Sequence, residues 1–143
     1  MISIEKSVHI NKPAAEVFAF MSEFSNDAKW QGDLVRSEKT SDGPTAVGST
    51  GTFVQKMMGR EVQNDVMVTV YEPSKRFGMK TTSGPVQFEA LVNLEDMGGG
   101  THLTMNAKGE AGGFFKVAEG LLQKELEKSF ERDLARLKQI LEA

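Results

Sequence analysis

Two histidines, twenty Asp and Glu, and no cysteine are the groups from which chemistry would have to be built in this chain of 143 residues. Metal hydrolysis needs His and carboxylates gathered at ligand spacing. His9 and His102 stand far apart, both fall on the polar face of a strand pattern, and there is no HExxH, so no metal site is expected. The missing cysteine removes disulfides, zinc ribbons, iron-sulfur clusters and thiol nucleophiles together. Phosphate-cradling loops read GxxxxGK[ST] or GxGxxG between a strand and a helix. The clusters Gly48-Ser49-Thr50-Gly51 and Gly98 to Gly100 fit neither and lie among strands, and no GxSxG elbow occurs. No cofactor is expected.

Paired carboxylates are a further route, because Glu61, Asp65, Glu89 and Glu110 all lie in the strand region and could meet across a sheet. Glu89 shares its face with Gln87 and Asn93 and reads as a solvated position. Asn64 differs, since it shares parity with Val62, Val66 and Val68; if that face is dry, an amide points into it. A buried amide needs a partner, whether protein, water or ligand. Gln55, between Phe53 and Met57, and Lys6, among the isoleucines of the first strand, raise the same question. A register bulge would turn any of them to the other face. Met57, Met58, Met67, Met79 and Met105 also stand in strand text, where flexible thioethers suit either an adaptable ligand-facing wall or an irregular core.

These residues must be positioned by an orderly set of elements. Ile2, Ile4, Val8 and Ile10 alternate with Ser3, Glu5, Ser7 and His9, the period of a half-buried strand. Pro13 then suits a helix start, and Val17, Phe18, Phe20 and Met21 keep helical spacing. Ser25-Asn26-Asp27 breaks that pattern and is placed to cap a second short helix ending near Trp30. From Leu34 to Glu110, Val-, Thr-, Phe- and Met-rich segments alternate with turns at Asp42-Gly43-Pro44, Gly59, Glu72-Pro73-Ser74, Ser83-Gly84-Pro85 and Gly98-Gly99-Gly100, predicting about six antiparallel strands. After Gly112-Gly113, an apolar stripe of Phe114, Val117, Ala118, Leu121, Leu122, Leu126, Phe130, Leu134, Leu137 and Leu141 predicts one long amphipathic helix. Glu125 with Lys128 and Asp133 with Arg136 are assigned to its solvated side.

Helices segregated at the two ends of a continuous antiparallel sheet make an α+β domain over residues 1–143. One helix must cover the dry face of a curved sheet, and where their side chains fail to meet, a ligand cavity results. The composition agrees with a soluble globular chain: 39% apolar, 26% charged, and a formal charge of -3 that attracts neither a phosphate backbone nor an anionic membrane. The N-terminus lacks a signal-peptide pattern and no stretch approaches the ~18 apolar residues of a membrane span, so the chain is expected to be cytoplasmic, without stable membrane insertion or nucleic-acid partner.

The order of several short motifs carries a family likeness. Ile10-Asn11-Lys12-Pro13-Ala14-Ala15-Glu16-Val17-Phe18, the aromatic Trp30, Val47-Gly48-Ser49, the run from Val68 through Pro73 to Phe77, and Gly99-Gly100-Thr101-His102-Leu103-Thr104 together resemble the polyketide cyclase/dehydrase and lipid-transport superfamily. The resemblance spans essentially the whole chain. It implies the helix-grip fold shared with START lipid-transfer domains and birch-pollen-type allergens: a seven-stranded antiparallel sheet around a long C-terminal helix, two short helices after strand 1, and an elongated cavity entered near those helices. The family pattern holds no universal catalytic residue, so none is carried over.

Parity and the resemblance together select Trp30, Phe53, Met57, Phe77, Met79, Phe88, Met105, Phe114 and Leu122 as candidate cavity lining, with Gln55 and Asn64 as orienting polar groups. Each is equally at home in a packed core. The expected function is binding or transport of a hydrophobic small molecule of lipid, polyketide or isoprenoid type by a monomer or weak homodimer. Burying about 300 Å² of apolar ligand surface at ~25 cal/mol per Å² offers roughly 7 kcal/mol before ordering costs. A cyclase- or dehydratase-like enzyme is the alternative and would need a titratable group inside, such as Lys6 or Glu61 with a displaced pKa. A protein-interaction or chaperone-cofactor domain is the third reading, and it predicts an exposed apolar patch over a filled cavity.

Overall fold

The computed structural model describes residues 1–143, the side chain of Phe114 excepted. The chain runs β1 (Ile2–Ile10), α1 (Ala14–Met21), a 3-10 turn (Phe24–Asn26), α2 (Asp27–Trp30), β2 (Leu34–Lys39), β3 (Thr50–Met57), β4 (Arg60–Glu72), β5 (Arg76–Ser83), β6 (Val86–Met97), β7 (Gly100–Ala111), α3 (Phe114–Val117) and α4 (Glu119–Glu142). All seven strands form one antiparallel sheet in the order β1-β7-β6-β5-β4-β3-β2. This is the seven-stranded helix-grip arrangement that the resemblance implies.

Turn chemistry sets the hairpins. β3 and β4 are joined by Met58 and Gly59, both at positive φ, the pairing that matches the twist of a two-residue hairpin. Met58 therefore sits in the turn and not in a strand. Gly98 and Gly99, again at positive φ, join β6 to β7 in the same way. The β4–β5 ladder shifts register between Asp65 and Val66 and between Val68 and Val70. The β3–β4 ladder has no shift, so Asn64, Val66 and Val68 keep one face as parity required.

The C-terminal helical region departs from a single stripe. Gly113 at positive φ turns the chain out of β7, and the backbone breaks at Ala118, dividing α3 from α4. The break rotates the apolar stripe, leaving Val117 at 92% and Leu121 at 64% exposure, whereas Leu122, Leu126, Leu134 and Leu137 are buried. The backbone of α4 runs closest to β1 and to α2. Leu134 and Leu137 complete a core with Ile10, Val17, Phe18, Val68 and Leu103. A second cluster joins Ile2, Ile4, Met57, Val86, Ala111, Phe115, Leu122 and Leu126.

The short helices are fixed from the side. Phe18 meets Tyr71 and Phe77 edge-on at centroid distances of 5.2 and 6.1 Å, holding α1 against β4 and β5. Phe24 lies against Phe53 and directly over Gly51, where a Cβ would come within 2.2 Å of its ring. Only glycine leaves the sheet low enough there for the α1–α2 segment to close over β3.

Candidate functional site: a cavity between the sheet and α4

The concave face of the sheet carries large side chains at its margins and small ones in the middle. One row across the strands reads Val68, Met79, Ala90, Ala107 and Ile4, each paired with the next. Ala90 and Ala107 stand opposite each other where α4 is already displaced toward β1. In the adjoining row Phe88 pairs with Gly109, where a Cβ would meet the Phe88 ring at 2.6 Å, so this glycine lets the ring lie down on the sheet. The combination leaves a cavity of about 170 Å³, partly open to solvent.

Its wall is mostly apolar. β3 contributes Phe53 and Met57, β5 contributes Phe77 and Met79, β6 contributes Phe88 and Val92, and β7 contributes Met105, around the floor of Ala90 and Ala107. The roof is Leu126 and Phe130 of α4, and Trp30 with Met21 closes the side of the short helices. Thus Trp30, Phe53, Met57, Phe77, Met79, Phe88 and Met105, with Gln55 and Asn64, are brought together around one space. Leu122 is not on that wall; it is fully buried in the second apolar cluster, one helical turn before Leu126. The side chain of Phe114 lies outside the described residues. Met21, Val66, Ala90, Val92, Ala107, Leu126 and Phe130 also line the space and were not selected from the sequence; parity along one strand does not reveal that two alanines on different strands face each other.

The polar groups of the wall are Asp27, Gln31, Gln55, Asn64, Lys80, Thr81 and Asp133. Asn64 Nδ2 donates to Gln55 Oε1 at 3.0 Å, so the amide pair turned inward from β3 and β4 is partnered within the protein. Asn64 Oδ1, by contrast, is sealed without a partner among the described residues and abuts Gly84, where a Cβ would fall 1.9 Å from it. Trp30 Nε1 is likewise buried without a partner among the described residues. Thr81 Oγ1 accepts the Phe88 N–H at 3.1 Å.

Asp27 is the group that sequence reasoning placed wrongly. Its position before a short helix suggested a cap, yet no side chain caps α2, and Asp27 turns inward to 3% exposure on the cavity wall. Among the described residues its side chain has one hydrogen bond, from Ser37 Oγ to Oδ2 at 3.2 Å. Burial pushes its pKa well above the ordinary carboxylate value; the Ser37 hydroxyl opposes this, and nearby Glu23 adds to it. Asp133 is a second correction, since it leaves the solvated side of α4 and is buried. Its Oδ1 accepts the Gly32 N–H at 3.0 Å, while Asp33 Oδ2 accepts Ser129 Oγ at 2.7 Å and pairs with Arg132 at 3.2 Å. These contacts pin the link between α2 and β2 onto α4. Burial raises the pKa of Asp133, opposed by the Gly32 N–H and Arg132.

Neither titratable group singled out for an interior role is inside. Lys6 reaches Glu131 on the outer side of α4 at 2.7 Å, and that hydrogen bond raises its pKa; Glu61 is exposed. Glu125 also does more than face solvent, accepting the Met58 N–H at 3.1 Å and tying α4 to the β3–β4 hairpin. Among the described residues, no helix is long and apolar enough to cross a membrane.

A search of curated proteins finds no match. Solved structures of the same fold are numerous. A protein from Thermus thermophilus, TTHA0849, superposes with a TM-score of 0.84 at 15% identity, covering 97% of this chain and 96% of that one. The Zhui aromatase/cyclase from Streptomyces sp. R1128 gives a TM-score of 0.79 at 15% identity, over 98% of this chain and 93% of that one. A START superfamily protein from Mycobacterium smegmatis gives 0.74 at 15% identity, over 96% and 98%. Likeness at such identities speaks for the fold alone. The family model for polyketide cyclase/dehydrase and lipid transport, however, matches residues 1–142, and the chain belongs to that family.

Proposed function

We propose that the protein binds a hydrophobic small molecule in the cavity between its sheet and α4. The observation that carries this reading is the hollow itself: Phe, Met and Val side chains surround a floor of paired alanines instead of meeting across it. The family supports it, since its description joins lipid transport to polyketide cyclisation. Trp30, Phe53, Met57, Phe77, Met79, Phe88 and Met105 supply apolar contact, and Gln55, held in place by Asn64, orients the ligand's polar end. We take residues 1–143 as one domain that works in the cytoplasm as a monomer or weak homodimer, without nucleic acid. Native mass spectrometry of protein purified from its source, followed by extraction, tests the reading. A retained small molecule is expected. Stripped protein whose thermal midpoint does not move with any neutral apolar compound would count against it.

A cyclase- or dehydratase-like activity is favoured by one specific observation, the Asp27 carboxyl buried on the wall. Burial raises its pKa, so it holds a proton to higher pH than a solvated carboxyl does, and such a group can pass that proton to a folded reactive chain. The interaction-domain reading has its exposed apolar residues in Val117 and Leu121, but lacks the filled interior it requires.

A further inference from the structure

We infer that this cavity takes an uncharged molecule of about one ring's size bearing a carbonyl or hydroxyl oxygen, which Asp27 and the Gln55 amide recognise. The inference rests on the ligand-binding reading above and adds size, charge and polarity to it. Size follows from volume: an apolar cavity of roughly 150 Å³ holds benzene, and this one measures about 170 Å³. A fused polycycle or a long acyl chain would project through the mouth.

Polarity follows from which hydrogen-bonding positions remain open. Asn64 holds Gln55 Oε1, which leaves the Gln55 amide nitrogen on the cavity wall with no acceptor among the described residues. Asp27 Oδ2 is taken by Ser37, and Oδ1 has no hydrogen-bond partner among the described residues. A ligand oxygen that accepts from Gln55 and exchanges a hydrogen bond with Asp27 answers both.

Charge follows from the acidic side chains of the wall. Asp27 and Asp133 are both buried there, and Lys80, the one basic residue of the lining, is exposed. A ligand carboxylate would be desolvated beside two acids with no buried cation to meet it. An ammonium could pair with Asp27, but it would leave the Gln55 donor facing another donor.

Calorimetric titration of the full chain at neutral pH with para-hydroxyacetophenone, benzoate, benzylamine and dodecanol tests this. The phenolic ketone should bind at least roughly tenfold more tightly than benzoate or benzylamine, the loss expected when buried polar groups go unpaired. Its affinity should fall about tenfold in D27A and less in D27N, and should also fall in Q55L, with circular dichroism confirming the fold of each. Tighter binding of benzoate or benzylamine, or an affinity unchanged in both D27A and Q55L, would overturn the inference. Binding of dodecanol without the ketone would overturn it while sparing the cavity reading, and no binding by any of the four would count against both.

Discussion

The two sides of the concave sheet face are built from similar residues to opposite ends. On the β1 side, where α4 lies close, Ile10 and Leu103 meet Leu134 and Leu137, and all four are essentially inaccessible to solvent. Toward β5 and β6 the same face holds Met79, Phe88 and Val92, but Ala90 and Ala107 stand where large side chains would have met the helix. The hollow is therefore not a shortage of apolar residues. It comes from two alanines at paired positions, together with a helix displaced to one edge. Packing on one side fixes the helix, and that leaves the other side free to hold something else.

Four changes break or sharpen that contrast. Leu137→Ala, on the packed side, should destabilise the fold by about 2–5 kcal/mol by denaturant unfolding, because a close-packed site cannot collapse around the missing methyls. A loss below that range would mean the two sides are packed alike. Gly109→Ala should cost about 1–3 kcal/mol, since the new methyl meets Gln87 O at 2.4 Å and the Phe88 ring at 2.6 Å and must drive that ring into the cavity. Its ligand affinity should fall with its stability. Ala90→Phe, in the hollow, should change stability by less than about 1 kcal/mol because the ring enters empty space, yet should abolish ligand binding. A destabilisation matching Leu137→Ala would show that no such space exists.

The smallest effect is electrostatic. The folded-state pKa of Asp27 lies above its unfolded value, so the folded chain holds this proton more tightly. The resulting stability is fully present below the ordinary carboxylate pKa of about 4 and is lost as pH rises through the raised value. Asp133 contributes with the same sign. Thermal midpoints measured across pH should therefore fall for the native chain relative to Asp27→Asn as pH increases. Parallel curves would mean that Asp27 is solvated.

Much of this was legible in the sequence because two-residue alternation and turn chemistry are local. Ile2 to Ile10, the run from Val86 to Leu94, and the glycine turns announce strands whatever lies around them. The inward turn of Asn64 and Gln55 was legible for the same reason, as the β3–β4 ladder has no bulge to shift it. The break at Ala118 was not legible, since apolar spacing continues through it, although the break leaves Val117 and Leu121 exposed. Asp27 was misread as a cap because it opens a short helix, and Asp133 as solvated because it stands three residues before an arginine; only tertiary packing against β2 and against the α2–β2 link buries them. The facing of Ala90 and Ala107 is a register fact, invisible until the strands are paired.

The central claim is that apolar space exists between α4 and the alanine floor. A crystal of the native chain pressurised with xenon tests it most directly, because xenon settles in apolar voids. The account predicts xenon density bounded by Ala90, Ala107, Met105 and Phe130, and none in Ala90→Phe. An interior free of xenon, with the methionine and phenylalanine side chains closed against Phe130, would contradict it.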